Sequence, residues 1–366
     1  MKNIVIISTY PEFGSQNIGD QLITDALIAN ITKIAKNKKI EIRIKVIFRA
    51  DHWDNVKETI RNSDFIVFAC LAIRPKMSTH EYPYLNKIIR MNKSFGVISA
   101  GTDLPVHQKS RDMYKIFTKE TMLLLKDINK KARFFSTRGV LTQSFCNFVD
   151  LNNSFFAGDI AFYAENNADK NFKRNDDIKN ISISSPHRPE IYTDSLTTLV
   201  LGIKRLFPNA SLKLIQHGKS DFFNSFCKNN NIELVEAYKD KHKGLSTYDD
   251  TDLHVGFRVH AHVSSLKRKI PSYLLEQDGR GADYGLTLNA KCSVPNYSES
   301  IDFTDKVLRR LKIKKHPKTV SAMPANLILS MIEADMHDSF TKFCYLEEQV
   351  NWFSNNHTDY LGSIFE

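Results

Sequence analysis

The segment Asp252-Leu253-His254-Val255-Gly256-Phe257-Arg258-Val259-His260-Ala261-His262 ends a hydrophobic run in a glycine, then presents a guanidinium and an imidazole two positions apart. A planar guanidinium forks onto carboxylate or phosphate, and a nearby imidazole adds a hydrogen bond or moves a proton near neutral pH. Alternate residues of an extended segment share a side. Arg258 and His260 are therefore expected to point together at a strand-to-helix turn, where free helix N–H groups reinforce anion binding. His262, further into the helix, reads as packing or as support for the other two.

Two other regions carry reactive residue types. Gly14-Ser15-Gln16-Asn17-Ile18-Gly19-Asp20 follows the first apolar run. Its glycines let backbone approach a ligand closely, and Asn17 and Asp20 offer polar groups, although Asp20 could equally serve only as the next helix's N-cap. Ser136-Thr137-Arg138-Gly139 and Gly158-Asp159-Ile160-Ala161 each stand where a strand ends. Arg138 either reaches a substrate or pairs with an acid across neighbouring loops. Neither a G-x-G-x-x-G fingerprint nor a P-loop occurs in the sequence, which sets those two phosphate cradles aside.

These residues need a scaffold, and the hydrophobic periodicity supplies one. NIVIIST reads as a strand, Asp20–Ala35 as a helix, EIRIKVIF and DFIVFAC as strands, FGVISAG as another, and Arg111–Lys130 as a long helix. A polar stretch, AENNADKNFKRNDDIKN, interrupts, and the alternation restarts at NISISS, then LKLIQH, IELVEA, DLHVGF and PSYLLE with helices between. Strands alternating with helices imply α/β architecture with doubly wound parallel sheets. The expected organisation is a Rossmann-like domain over residues 1–165 and a linker over 166–180. A second Rossmann-like domain would cover 181–324, and a C-terminal helix over 325–366, running from about Ala325 to Phe353, would pack back on the first domain. Two such sheets face a cleft, as in the GT-B glycosyltransferase architecture, and ligands gather at strand carboxyl ends.

Composition bounds the partners. The net charge of +10 and a pI near 9.2 favour anionic ligands or an anionic membrane face. The lysines are scattered, with short clusters at Lys36–Lys39 and Lys312–Lys315 and no aromatic-interleaved signature, so nucleic acid is not expected. Five cysteines, widely spaced and without C-x-x-C, fit reduced thiols and no metal site. No stretch approaches the roughly 20 apolar residues of a membrane span. The expected location is the cytoplasm, with peripheral contact at the inner membrane face as an option.

Taken in order, Asn-Ile-Gly-Asp, Ser-x-Arg, Gly-Asp-x-Ala-Phe and Gly-x-Arg-x-His-Ala followed by Ile-Pro resemble the polysaccharide pyruvyl transferase family from about Asn3 to Asn289. The resemblance implies transfer of the enolpyruvyl carbons of phosphoenolpyruvate to sugar hydroxyls, giving a pyruvate ketal and phosphate, with no cofactor or metal. It implies that Arg258 and His260 hold the donor's carboxylate or phosphate and that Asn17, Gly19 and Asp20 face a glycan or lipid-linked sugar, which makes the second domain the donor side and the first the acceptor side. The chain departs from the family pattern at Gly139, where many members have Asp, and at Glu276–Gly281, where many have a lysine that Arg280 would replace. Arg188, after the second domain's first strand, is a further basic candidate by position.

In the implied mechanism His260 is the general acid, Asp20 the general base, and Arg258 steadies donor and leaving phosphate. A GT-B glycosyltransferase using a nucleotide sugar fits the same architecture. A catalytically silent glycan-binding protein is a second alternative.

Overall fold

The computed structural model describes residues 1–10, 18–104, 116–164, 171–172, 177–239, 244–298 and 319–366. The strands of these residues form two all-parallel sheets. The first is built from β1 (Lys2–Ser8), β2 (Ile42–Phe48), β3 (Phe65–Ala69), β4 (Ala72–Ile73), β5 (Phe95–Thr102), β6 (Phe135–Thr137) and β7 (Ser154–Phe156), in the order β2-β1-β3-β5-β6-β7 with β4 alongside β5. The second contains β8 (Asn180–Ser184), β9 (Ser211–Ile215), β10 (Glu233–Val235), β11 (Leu253–Gly256), β12 (Ser272–Glu276) and β13 (Ser293–Pro295), ordered β10-β9-β8-β11-β12-β13. The strand order reverses between β1 and β3 in one sheet and between β8 and β11 in the other. Crevices open at such reversals, outside the strand carboxyl ends.

Burial on both faces explains the strand sequences. Ile4, Val5, Ile6 and Ile7 of β1 and all of β3 are buried, because helices cover both sides of a parallel sheet. Helices α1 (Ile18–Asn37), α2 (Trp53–Arg61), α3 (Leu85–Arg90), α4 (Lys119–Lys131) and α5 (Val140–Phe148) belong to the first half. Helices α6 (Thr193–Leu206), α7 (Phe222–Asn230), α8 (Val259–Lys267) and α9 (Gly279–Thr287) belong to the second. In α2, Val56 and Ile60 face inward at helical spacing while Asp54, Lys57, Glu58 and Arg61 stay in solvent. Of the long helix expected over Arg111–Lys130, residues 111–115 lie outside the described set, and α4 starts at Lys119 because Thr118 caps it, accepting from the Thr121 N–H at 3.2 Å.

The C-terminal segment is two helices, α10 (Met323–Met336) and α11 (Glu347–Leu361), where the apolar pattern alone suggested one from Ala325 to Phe353. Ser339 and Phe340 take positive φ and break the run. α10 packs on α6, and α11 packs on the first half: Phe353 meets Phe156 and Phe162, Tyr360 meets Phe134 and Phe155, and Tyr360 donates to Ser136. One apolar cluster accordingly runs through residues of both sheets and both C-terminal helices.

The halves also meet through α9 and α5. Asp283 of α9 accepts from the Leu141 N–H at 2.8 Å and from the Thr142 hydroxyl at 2.5 Å, and Thr287 accepts from the Val140 N–H at 2.9 Å. The α5 N-terminus, with Gly139 as its N-cap, is thus capped by side chains from the other half. No helix of the described residues is long and apolar enough to cross a membrane.

Candidate active site

The first sheet's strand ends, the start of α1 and the second half's α8 and α9 line a partly open cavity of about 150 Å³. Asp20, Arg49, Arg74, Arg138, His260 and Arg280 line it, with Cys70, Gly101 and Asp103 completing the wall. Four guanidiniums and an imidazole around so small a space favour a compact, multiply charged anion.

Arg138 directly follows β6 and is 5 % exposed. Its Nη1 donates to Cys70 Sγ at 3.6 Å, its guanidinium lies 5.7 Å above the Tyr284 ring, and Asp283 stands 4.0 Å from Nε. Burial works against its charge, but Cys70, Tyr284, Asp159 and Asp283 outweigh burial and hold Arg138 above the ordinary arginine range. Its Nε is buried and finds no hydrogen-bond partner among the described residues. Gly101 supplies the floor, since a Cβ there would lie 2.4 Å from the guanidinium carbon. That stretch of β5 is re-aimed by a register shift at Ser99, which has φ 52° and is held by its hydroxyl, donating to Gly158 O and accepting from the Ile160 N–H.

His260 sits in the first turn of α8 and packs against α1 of the other half: a Cβ on Gly19 would be 1.8 Å from its Nδ1. Its Nε2 is buried without a hydrogen-bond partner among the described residues. Burial, then Arg138 and Arg280, push the imidazole down to about 3, so it is neutral at pH 7 when no anion is bound. Asp20, in the first turn of α1, lines the same cavity. Gly19 and Asp20 of the first turn of α1 and His260 of the second half, distant in sequence, are therefore neighbours. Asn17 lies outside the described residues.

Arg280 opens α9. Asp278 caps that helix from the Arg280 N–H at 3.0 Å, and its carboxylate also accepts from Arg280 Nη2 at 2.6 Å. This pairing orients the guanidinium at the cavity edge.

Arg258 is placed differently from the expectation of a shared direction with His260. It is the N-cap of α8, whereas His260 is already helical, so the two-residue period of a strand does not relate them. The Arg258 guanidinium turns back onto its own half, donating from Nε to Ser185 O at 2.8 Å, with Nη1 at 2.5 Å from His187 Nδ1. Burial and Arg280 lower it to about 10. Between Arg258 and Arg280 stands His187, 3.3 Å from Arg280 Nη2 and held neutral because burial, then Arg258 and Arg280, push it down to about 3. Arg188 is exposed and donates to Ser298 at 2.7 Å, outside the cavity wall.

Arg49, Arg74 and Asp103 were missed by sequence reasoning. Each follows a strand, Arg49 after β2, Arg74 after β4 and Asp103 after β5, and that position was the available signal. Arg74 pairs with Asp103 at 3.3 Å and with Glu81 at 3.4 Å. Among the described residues no cluster of three or more histidine, cysteine or acidic side chains is arranged to hold a metal ion, and all five cysteines are free thiols.

Among solved structures, the chain aligns with S. aureus MnaA in its UDP co-structure at 13% identity, over 92% of this chain and 97% of that one, with a TM-score of 0.45. It aligns with the UDP-GlcNAc 2-epimerase of Methanocaldococcus jannaschii at 11% identity, over 91% and 100%, with a TM-score of 0.49. It aligns with the wall teichoic acid polymerase TagF at 12% identity, over 98% and 89%, with a TM-score of 0.47. A comparison with curated proteins gives no match. A family model described as polysaccharide pyruvyl transferase matches residues 17–279, a span that runs from the α1 entrance through Arg138 and His260 to the first residue of α9, and the chain belongs to the polysaccharide pyruvyl transferase family.

Proposed function

We propose that the protein transfers the enolpyruvyl group of phosphoenolpyruvate to a sugar of a surface polysaccharide or its precursor, forming a cyclic pyruvate ketal and releasing phosphate. One observation carries this reading: a cavity of about 150 Å³ lined by four arginines, in which Arg138 Nε and His260 Nε2 are buried and lack hydrogen-bond partners among the described residues. A carboxylate or phosphate oxygen would satisfy Arg138 Nε, which otherwise stays desolvated at a cost. The charge of the lining therefore supports a compact donor that carries two anionic groups, as a three-carbon phosphorylated acid does.

Arg138 and Arg280 hold the donor's two anionic groups, with Arg49 and Arg258 adding to the field. Anion binding raises the His260 imidazole, which takes up a proton. His260 then delivers that proton to the donor's methylene carbon, leaving an oxocarbenium-like centre at C2. A sugar hydroxyl adds to C2 as Asp20 accepts its proton. Phosphate then departs with the C–O bonding pair, and a second hydroxyl of the same sugar closes the ketal, its proton leaving with phosphate. The neighbouring guanidiniums stabilise the departing charge. The acceptor, a free, lipid-linked or nucleotide-linked sugar, approaches from the cleft beside Asp20.

A donor panel tests this. The full chain is incubated with a sugar acceptor and either phosphoenolpyruvate or a nucleotide sugar. Acceptor-dependent phosphate release from phosphoenolpyruvate is expected. Nucleotide release with phosphoenolpyruvate untouched would sink the reading.

A further inference from the structure

Behind the turn that carries Arg258 and His260, five side chains form a fully buried polar row: Ser184, His254, Ser272 and His262 at 0 % exposure and Cys292 at 2 %. The Phe257 and Arg258 N–H groups donate to Ser184 Oγ at 3.0 and 3.1 Å. Ser184 Oγ is 3.0 Å from His254 Nε2, and His254 Nδ1 is 2.6 Å from Ser272 Oγ. Ser272 Oγ is 2.7 Å from His262 Nδ1, whose Nε2 is 3.8 Å from Cys292 Sγ.

One arrangement gives both hydroxyl hydrogens of the row an acceptor. Ser184 Oγ already accepts two backbone N–H groups, which uses both lone pairs. Its own proton must go to His254 Nε2. A neutral His254 then carries hydrogen on Nδ1 and donates it to Ser272. Ser272 in turn donates to His262 Nδ1, so His262 carries its hydrogen on Nε2, facing the Cys292 sulfur. Burial keeps both imidazoles neutral, His262 at about 3, and holds Cys292 as a thiol at about 12. A second proton on either ring would set two hydrogens against each other in a dry site. The two histidines are thus locked in opposite tautomers, joined through one serine.

We infer that Ser184, His254, Ser272 and His262 are positioning residues that fix the Gly256–Arg258 turn, and through it the direction of Arg258 and the start of α8 bearing His260. None of the four lines the cavity. They act through the two backbone N–H groups that Ser184 receives, at the strand reversal where β8 and β11 pair Ser184 with Gly256. A side chain at Gly256 has no room, because its Cβ would lie 2.5 Å from Ser184 Oγ.

The test has two arms. The kinetic arm rests on the proposed phosphoenolpyruvate reaction; the spectroscopic arm does not. In histidine-selective ¹⁵N spectra of the full chain, His254 is expected as the Nδ1–H tautomer and His262 as Nε2–H, neither titrating between pH 6 and 8. The signals are assigned by their loss in His254→Gln and His262→Gln. Two rings in the same tautomer, or a titrating one, would overturn the assignment. In the kinetic arm Ser184→Ala is expected to raise the donor KM roughly tenfold, the usual scale for a lost buried hydrogen bond, and to lower kcat as well, because the start of α8 that carries His260 loses the same anchor. Ser184→Thr, which keeps the hydroxyl, is expected to retain more donor affinity than Ser184→Ala. A folded Ser184→Ala protein with unchanged donor KM removes the positioning role. If wild type fails to turn over phosphoenolpyruvate at all, the donor assignment falls while the spectra still decide the relay.

Discussion

Gly19 lies against the imidazole of His260, so close that an added methyl would sit 1.8 Å from Nδ1 and 2.3 Å from Cγ. This contact joins α1 of the first half to α8 of the second and sets where the imidazole meets the cavity. Gly19→Ala should therefore be felt in activity before stability. Alanine suits a helix better than glycine by about 1 kcal/mol, which offsets part of the clash, while His260 is driven off its position. A fall in kcat/KM of about 100-fold or more is expected, with a thermal midpoint within a few degrees of wild type. Retention of full activity would mean that the imidazole's place is immaterial to the reaction.

Arg138 and Arg280 should separate binding from folding. Arg280 is half-buried at the cavity edge and its acid, Asp278, keeps other solvent contact, so Arg280→Ala should raise the donor KM with little change in stability. Arg138 is the buried cation beside the buried Asp283 and Asp159. Arg138→Ala should remove donor binding and also cost about 3 kcal/mol or more, since it strands buried carboxylates. Calorimetric titration with phosphoenolpyruvate, run beside urea unfolding, reads both effects.

The scaffold was legible in the sequence because parallel strands buried on both faces are written as short apolar runs, as in NIVIIST and DFIVFAC. The site was legible in pieces: Asp20, Arg138, His260 and Arg280 all line the cavity. What could not be read was convergence. That Gly19 touches His260, or that Asp283 reaches α5, depends on how two halves dock, and no local pattern encodes it. The pairing of Arg258 with His260 failed for a local reason. The helix begins between them, so strand alternation stops one residue too soon. Arg49 and Arg74 are single arginines after strands, and a single residue has no spacing to read.

Acid should weaken the fold. Burial holds His262 and His357 at about 3, and burial with Arg138 and Arg280 does the same to His260, against an ordinary value of 6.5. Below 6.5 the unfolded chain binds protons that the folded chain refuses. The stability from these groups is complete above pH 6.5 and is lost as pH falls toward 3, by up to about 1.4 kcal/mol per pH unit for each histidine. Urea midpoints should be flat from pH 8 to 7 and decline from pH 6 to 5. A flat profile down to pH 5 would show that these rings titrate normally.

Donor binding should take up a proton. The empty site holds His260 neutral because cations surround it, and a bound phosphoenolpyruvate reverses that field. Calorimetry at about pH 8, where the donor's own phosphate is already ionised and has no proton to release, in two buffers of different ionisation enthalpy should give binding heats that differ in proportion to the proton taken up. His260→Gln should abolish that difference while keeping some donor affinity through Arg138 and Arg280. Equal heats in both buffers for wild type would leave His260 without a proton to deliver.

The cap on α5 gives the sharpest test of how the halves are joined. Gly139 is the N-cap, and the Leu141 and Thr142 N–H groups that an N-cap aspartate would satisfy are instead taken by Asp283 Oδ1 at 2.8 and 3.4 Å. A Cβ on Gly139 would stand 2.1 Å from that same oxygen, so the two positions compete for one place. Gly139→Asp alone forces two carboxylates together and should cost about 3 kcal/mol. Asp283→Gly alone uncaps the helix and removes the acid nearest Arg138, for about 2 kcal/mol or more. Combined, the aspartate at 139 caps its own helix and sits beside Arg138, so the double variant should be more stable than the sum of the singles by at least about 1 kcal/mol. Urea unfolding of the four proteins measures that coupling. Strict additivity would mean that Asp283 does not stand in for the missing cap.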